Sequence, residues 1–309
     1  MKILVIFTGG TIGSTIRSGY IGPDSNTNYS LLQKFADKNV DFFTLSPYTV
    51  LSENLSAKEL NALQKEIASS LSTDYDGIIV THGTDTLQYS ACAIENAFCD
   101  INIPIIFVSS DYPLEDTRTN GFCNFDCAVK FIENKVARGV FVSYKNENEN
   151  FVSIHIPSRL LSHTEGCADL LSIDGKPFAA FDGKAFEISD IPKKEAFSSG
   201  IVEYVDYPEI LVIDSHPADS FSYPLENVKA VIIKPYHSAT LDTANKKLAD
   251  FCKSASEKSI PVYVCGMKNG ENYESTKLYN SFNITPLPYG TFISAYMELW
   301  AKISSEKNI

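Results

Sequence analysis

The sequence predicts an α/β protein with a larger N-terminal domain, in which helices cover a parallel sheet in three layers, and a smaller C-terminal α/β domain. Short apolar runs rich in β-branched residues, such as residues 3–7 and 77–80, alternate with segments of helical periodicity. This alternation is typical of parallel strands joined by crossover helices. The length of 309 residues suits two domains better than one. We therefore predict domains at 1–187 and 209–309, joined by a linker at 188–208.

The individual elements follow from the same patterns. Residues 56–59 read Ser-Ala-Lys-Glu, which fits a capping box at the start of a helix. Apolar residues then recur at helical spacing, at Leu60, Leu63, Ile67 and Leu71. Region 183–208 lacks strong periodicity, which is the reason for placing the linker there. The predicted strands are 3–7, 40–45, 77–81, 104–108, 139–142, 151–156, 210–213, 230–233 and 261–264. The other predicted helices are 29–38, 87–98, 124–134, 241–256 and 292–303.

Composition and charge exclude several classes of function. The formal net charge of −12 argues against binding to nucleic acid, because phosphate backbones attract basic surfaces. The sequence has no apolar run of eighteen residues and no signal-peptide pattern after Met1, so we expect neither membrane insertion nor export. Seven cysteines without a CxxC pair are typical of reduced, mostly buried thiols. We therefore expect a cytoplasmic protein, and no motif indicates a metal or a cofactor.

The first strand runs directly into a turn that reads Thr8-Gly9-Gly10-Thr11. Glycine has no Cβ, so the backbone can turn sharply here and another chain segment or a ligand can approach closely. Thr11 then lies at the carboxyl end of the strand, which is the edge where open α/β sheets bind ligands. The turn matches neither a dinucleotide fingerprint nor a P-loop, since Thr8 replaces a required glycine and no Gly-Lys-Ser/Thr follows.

Two further predicted strands end in polar residues of the same kind. One ends in His82-Gly83-Thr84-Asp85 and the next in Ser109-Ser110. If these strands are parallel, hydroxyls, loop N–H groups and one carboxylate lie on one edge of one sheet. This set favours acyl transfer on a small polar substrate, since a hydroxyl nucleophile needs a base and donors for an oxyanion. Asp85 can bind a substrate ammonium, or it can simply cap the following helix.

The two threonine motifs together resemble the bacterial-type L-asparaginase family. Their order and their separation of about seventy residues are specific to that family. Segments 18–21 and 52–55 are similar to its mobile loop and its substrate-binding loop, and residues 113–124 resemble the segment after its third motif strand. The resemblance is strong to about residue 145 and weaker beyond, where it is mainly architectural.

The resemblance implies a flavodoxin-like smaller domain, hydrolysis of asparagine to aspartate and ammonia through an acyl-enzyme, no cofactor, and assembly as homodimers or homotetramers. It also implies roles for individual residues. Thr11 matches the nucleophile and Tyr20 the loop tyrosine that hydrogen-bonds it. Thr84 and Asp85 match the second threonine and the aspartate that holds the substrate α-amino group. The positions expected to bind substrate are Ser52, Glu53, Gly83 and Ser110.

The chain departs from the family at the catalytic lysine. The corresponding region, residues 158–166, contains no lysine. One match places His163 there, and a looser match places Arg159 there. Histidine can act as a base near pH 7, whereas arginine stays protonated. We therefore expect His163 to be the candidate substitute.

Three alternatives stay open beside an asparaginase. The first is a related amidohydrolase that acts on glutamine or another ω-amide. The second is a non-catalytic protein that binds asparagine or aspartate, and the third is a subunit of a tRNA-dependent amidotransferase. The net charge of −12 and the absence of an added RNA-binding region argue against the last.

Overall fold

The computed structural model describes residues 1–17, 19–23, 30–35, 39–191, 197–267 and 273–307. The chain divides into two compact units, Met1–Tyr204 and Val205–Ile309. This division falls inside the predicted linker at 188–208, and the exact domain boundaries stay a prediction. The two units are described separately below.

The first unit is built on an eight-stranded sheet in the order β10-β9-β8-β7-β6-β5-β1-β4. Strands β4, β1, β5, β6 and β7 are parallel to one another, whereas β8, β9 and β10 are antiparallel. A separate antiparallel hairpin is formed by β2 and β3. The ten strands are β1 (Lys2–Phe7), β2 (Ser14–Arg17), β3 (Tyr20–Pro23), β4 (Asp41–Leu45), β5 (Gly77–Thr81), β6 (Pro104–Val108), β7 (Gly139–Tyr144), β8 (Val152–His155), β9 (Ala179–Phe181) and β10 (Phe186–Ile188).

Helices cover both faces of this sheet, which confirms the predicted three layers. They are α1 (Ala57–Ser70), α2 (Leu87–Ala97) and α3 (Gly121–Glu133). Because side chains alternate along a strand, β1 contributes to both faces. Leu4 packs with Leu63 of α1 and Ile94 of α2, while Val5 packs with Phe125 of α3 on the opposite face. The capping box is also confirmed, since the Ser56 N–H donates to the Glu59 carboxylate at 3.1 Å.

Several predicted elements differ from those observed. Strands β2, β3, β9 and β10 were not predicted, because runs of three or four residues are too short to show a period. Helix α3 begins at Gly121, three residues before the predicted start, where the Asn120 carbonyl accepts the Asn124 N–H at 3.0 Å. Of the helix predicted at 29–38, residues 30–33 are helical, while 29 and 36–38 lie outside the described residues.

The second unit has a four-stranded parallel sheet whose strands follow chain order. Its helices pack on opposite faces: Leu248 of α4 lies with Ile233, and Leu299 of α5 lies with Ile232. The helix predicted from residue 241 begins only at Lys246, since the Asn245 side chain caps it. The elements are β11 (Ile210–Asp214), β12 (Ala230–Lys234), β13 (Val262–Val264), β14 (Ile284–Pro286), α4 (Lys246–Glu257) and α5 (Phe292–Lys307).

The register of the parallel strands decides where the polar strand ends lie. Phe7 pairs with Thr81, and Thr81 pairs with Val108. The residues that follow β1, β5 and β6 are therefore neighbours at one edge of the sheet, as the sequence predicted. Among the described residues, no helix has the length and apolar character needed to cross a bilayer.

Candidate active site

The two threonine motifs pack against each other backbone to backbone. A Cβ placed on Gly10 would lie 2.3 Å from both N and Cα of Gly83, far inside van der Waals contact. Gly10 also has φ 77° and ψ −178°, a conformation available essentially only to glycine. Below this contact, the Thr8 hydroxyl donates to the Thr81 carbonyl at 2.6 Å. The glycines thus allow the turns after β1 and β5 to touch.

Thr11 is the next residue in the chain after Gly10, so it lies beside this contact. It begins a single 3-10 turn, Thr11–Gly13, and is half-buried. The Gly10 carbonyl accepts the Gly13 N–H at 3.0 Å and the Ser14 hydroxyl at 2.7 Å. Two hydrogen bonds therefore fix the backbone on either side of Thr11, next to the Gly83–Thr84 turn.

A third segment joins the two motifs. Ser52 is buried in the 3-10 turn Ser52–Asn54, and its hydroxyl donates to the Asp85 carboxylate at 3.3 Å. Its carbonyl accepts the Thr86 hydroxyl at 2.8 Å. Two residues earlier, the Val50 carbonyl accepts the Gly10 N–H at 3.1 Å. Segment 50–52 therefore contacts both motifs, while Asp85 stays exposed.

His82 lies beneath the site and is fully buried. Burial lowers its pKa to about 4, so the ring is neutral near pH 7. Its Nδ1 lies 2.8 Å from the Gly83 carbonyl, which can only accept, so this nitrogen carries the hydrogen. A neutral ring with this fixed tautomer supports the Gly83 peptide from below.

Asn124 of α3 cross-links three strand ends, and sequence reasoning gave it no role of its own. Its amide donates to the Ser109 carbonyl at 2.8 Å, and the Ser109 hydroxyl donates to the His82 carbonyl at 2.7 Å. Its own carbonyl accepts the Ser143 hydroxyl at 2.9 Å, and its side-chain oxygen accepts the Lys145 N–H at 2.7 Å. The sequence feature that could have indicated this role is a single amide on the otherwise apolar, fully buried face of α3.

His163 reaches the edge of the site from the loop after β8. Its Nε2 lies 3.1 Å from the Thr84 carbonyl oxygen, and its Nδ1 lies 3.2 Å from the Asp169 carbonyl oxygen. Thr84, Asp85 and His163 line a surface groove of about 450 Å³. Arg159 points elsewhere, with its guanidinium 3.6 Å from the Asp174 carboxylate. Of the two matches to the family lysine, His163 is the one that contacts Thr84.

Two residues that the sequence predicts for the site, Ser110 and Tyr20, make no contact with Thr84 or Asp85 among the hydrogen bonds of the described residues. The Ser110 hydroxyl is buried and bonded to the Tyr112 carbonyl and, at 2.7 Å, to the Thr119 hydroxyl, so it closes the turn after β6. Tyr20 lies on β3 with 81% of its surface exposed. Its hairpin is joined to the same turn region because the Glu115 carboxylate accepts the Ile16 N–H at 2.8 Å.

The comparison with protein families agrees with this geometry. A family model described as asparaginase, N-terminal, matches residues 2–192, more than half of the chain. The chain belongs to the asparaginase family. The match supports an amidohydrolase and covers the strand ends, the Ser52 segment and His163.

Individual relatives are more distant. The chain is 29% identical over 191 residues to a glutamyl-tRNA(Gln) amidotransferase subunit from Methanosarcina acetivorans, and the match covers 60% of this chain and 45% of that protein. It is 25% identical over 271 residues to L-asparaginase 1 of Escherichia coli K12, and that match covers 84% of this chain and 78% of the other. The structure of L-asparaginase I from Vibrio cholerae superposes with a TM-score of 0.81 at 23% identity, over 98% of this chain and 92% of that one. This likeness shows the shared fold. The chain spans less than half the length of the archaeal protein.

Proposed function

We propose that this protein hydrolyses L-asparagine to L-aspartate and ammonia, with Thr11 as the nucleophile. The observation that carries the proposal is the contact between Gly10 and Gly83, since Thr11 and Thr84 are the residues that follow these two glycines in the chain. Membership of the asparaginase family and the likeness to L-asparaginase 1 support the same substrate.

The proposed reaction has two steps. The Thr11 hydroxyl oxygen attacks the side-chain amide carbon of asparagine, and its proton passes by way of Thr84 to the amide nitrogen, which leaves as ammonia. Water then cleaves the ester and returns the proton to Thr11, which releases aspartate. Loop N–H groups at the strand ends, including that of Gly83, supply donors for the oxyanion of both steps.

Substrate binding uses the carboxylate and hydroxyl groups around Thr11. Asp85 is exposed and holds the α-ammonium, while Ser52, whose hydroxyl already meets Asp85, contacts the α-carboxylate end. Glu53 is exposed on the same 3-10 turn and adds negative charge near the ammonium. In this proposal Tyr20 hydrogen-bonds Thr11 once its exposed hairpin meets the bound substrate.

Ammonia release from purified protein tests the proposal. We expect turnover of L-asparagine by the wild type, a loss of at least about 10³-fold in Thr11→Ala, and partial activity in Thr11→Ser, which keeps the hydroxyl. Circular dichroism and thermal melting of both variants serve as the folding controls. Comparable turnover by a folded Thr11→Ala variant contradicts the assignment of the nucleophile.

A second candidate is hydrolysis of glutamine or another ω-amide. The 29% identity to an amidotransferase subunit favours it, as does the absence of lysine from residues 158–166. A panel of amides separates the candidates by their ratios of kcat/KM. Binding of asparagine or aspartate by calorimetry without turnover of any amide supports the non-catalytic alternative instead.

Assembly and location complete the proposal. We propose a homodimer or homotetramer, as the resemblance to asparaginases implies, and light scattering on the eluting protein gives the mass directly. A cytoplasmic location stays a prediction, which fractionation of the source cells tests.

A further inference from the structure

The ring of His163 is held between two backbone carbonyl oxygens, those of Thr84 at 3.1 Å and Asp169 at 3.2 Å. A carbonyl oxygen accepts hydrogen bonds and cannot donate them. A neutral imidazole has one N–H group, so one ring nitrogen would direct a lone pair at a carbonyl oxygen. An imidazolium has two N–H groups and satisfies both contacts.

The Asp169 side of this bridge is firmly anchored. The buried Asn146 side chain accepts the Leu170 N–H at 2.9 Å and donates to the Leu170 carbonyl at 3.0 Å. The Asp169 carboxylate accepts the Glu147 N–H at 2.9 Å. Three hydrogen bonds therefore fix segment 169–170 to the loop after β7, and the carbonyl that His163 meets there is stationary.

The Thr84 side of the bridge belongs to the candidate active site. The Thr84 carbonyl also accepts the Leu87 N–H at 3.3 Å, at the start of α2, and its second lone pair is free for His163. The ring thus connects an anchored loop to the peptide between Thr84 and Asp85. Movement of this peptide would displace both the Thr84 hydroxyl and the Asp85 carboxylate.

The charges around His163 are negative. The titratable groups that line the groove with the ring are Asp85, from the turn after β5, and Glu165 and Cys167, from its own loop. The Asp169 carboxylate lies on the anchored segment. The groove that the ring lines therefore carries carboxylates, which favour a cation there over a neutral group.

We propose that His163 is a positioning residue that works as an imidazolium, whose two N–H groups hold the Thr84 carbonyl to the Asp169 carbonyl. This inference rests on the proposed function, which makes Thr84 and Asp85 part of the site. It assigns His163 a role different from that of a base, since a base needs a free lone pair and both nitrogens meet carbonyl oxygens.

The two roles predict opposite pH dependence. If His163 were the base, the neutral ring would be the active form, and kcat/KM would rise as pH rises through the histidine range of about 5 to 8. If His163 is the imidazolium clamp, kcat/KM falls in that range to a lower plateau, because the neutral ring keeps only one of the two hydrogen bonds.

The experiment is the pH profile of kcat/KM for asparagine, and for the best amide of the panel, in the wild type and in His163→Gln. Gln keeps a neutral N–H donor for one carbonyl at all pH values. We expect the wild type to lose about tenfold in kcat/KM across the histidine range. We expect His163→Gln to remain active, to lack this limb, and to match the high-pH wild type within a few fold. Any one of three results overturns the proposal: a limb that rises with pH, a profile that is flat across the histidine range, or a His163→Gln variant that is inactive though folded.

A second measurement does not depend on activity. Nitrogen-15 NMR of the five histidines, with His163 assigned by the signal missing from His163→Gln, reports whether one or both ring nitrogens carry hydrogen. Two ring N–H protons that both exchange slowly with water at pH 6, as hydrogen-bonded protons do, support the clamp, and rapid exchange of either proton contradicts it. If no amide is hydrolysed but this signal is found, the proposed function fails while the clamp stands.

Discussion

The packing of Gly10 against Gly83 makes the sharpest test of the candidate site, through the substitution Gly10→Ala. The new methyl group would lie 2.3 Å from two backbone atoms of Gly83. Carbon atoms in contact normally keep about 3.5 Å apart, so the turns after β1 and β5 must separate by roughly 1 Å. The backbone conformation of Gly10 adds about 1–3 kcal/mol of strain for any other residue.

These two effects have different consequences. Strain and separation together lower the free energy of unfolding by about 3 kcal/mol or more, a large part of the roughly 5–15 kcal/mol that holds a typical domain together. A displacement of about 1 Å between reacting groups costs on the order of 10²-fold in rate. We therefore expect Gly10→Ala to lose about 10²-fold or more in kcat while it still folds at 20 °C.

Gly175→Ala is the matched control. Gly175 also has a positive φ, 65°, but no atom lies within 4 Å of the place where its Cβ would be. This variant measures the cost of a positive φ without a clash, about 1–2 kcal/mol. Urea unfolding and ammonia release are measured on both proteins. If Gly10→Ala matches Gly175→Ala in both assays, the turns are not in contact as described and the reasoning is refuted.

Three more substitutions test the surroundings of the site. Asp85→Asn keeps an acceptor for Ser52 but removes the charge that holds the ammonium in the proposed function, so we expect KM to rise about 10- to 100-fold, with a smaller change in kcat. Asn124→Leu leaves the Ser109 carbonyl and the Lys145 N–H without their partner, and we expect it to cost about 3 kcal/mol in urea unfolding. Burial lowers the pKa of His155 to about 3. Since the unfolded ring protonates near pH 6.5, the folded state is destabilised as pH falls from about 6.5 towards 3. Between pH 7 and pH 5 the wild type should therefore lose about 2 kcal/mol more than His155→Gln; equal losses contradict the shift.

The parts of the site that the sequence could predict are those with local causes. An apolar run followed by glycines defines a strand and the turn after it, and parallel strands end at the same edge of a sheet. The positions of Thr11, Gly83 and Thr84 follow from that reasoning alone. The capping box at Ser56 is equally local, and it was predicted correctly.

The parts that escaped prediction depend on contacts between distant segments. Asn124 is one amide in a helix, and its hydrogen bonds reach residues 109, 143 and 145 only once the sheet has formed. The contact of the Ser110 hydroxyl with the Thr119 hydroxyl, nine residues later in the chain, is of the same kind, while the role of Ser110 in binding substrate stays a prediction. The short strands β9 and β10 also escaped prediction, because they pair antiparallel and need no crossover helix that would mark them in the sequence.

The contact between the turns explains why the two motifs share one residue pattern. In each turn the glycine, Gly10 or Gly83, permits the close approach of the two backbones. The threonine that follows it in the chain then carries a hydroxyl next to that contact. A side chain on Gly83 would meet the Ser52 hydroxyl at 2.5 Å, so the same glycine also admits the segment that binds Asp85. Three chain segments therefore meet around two Cα atoms. Backbone atoms therefore fix the separation of the Thr11 and Thr84 Cα atoms, and the relay in the proposed function needs that rigidity.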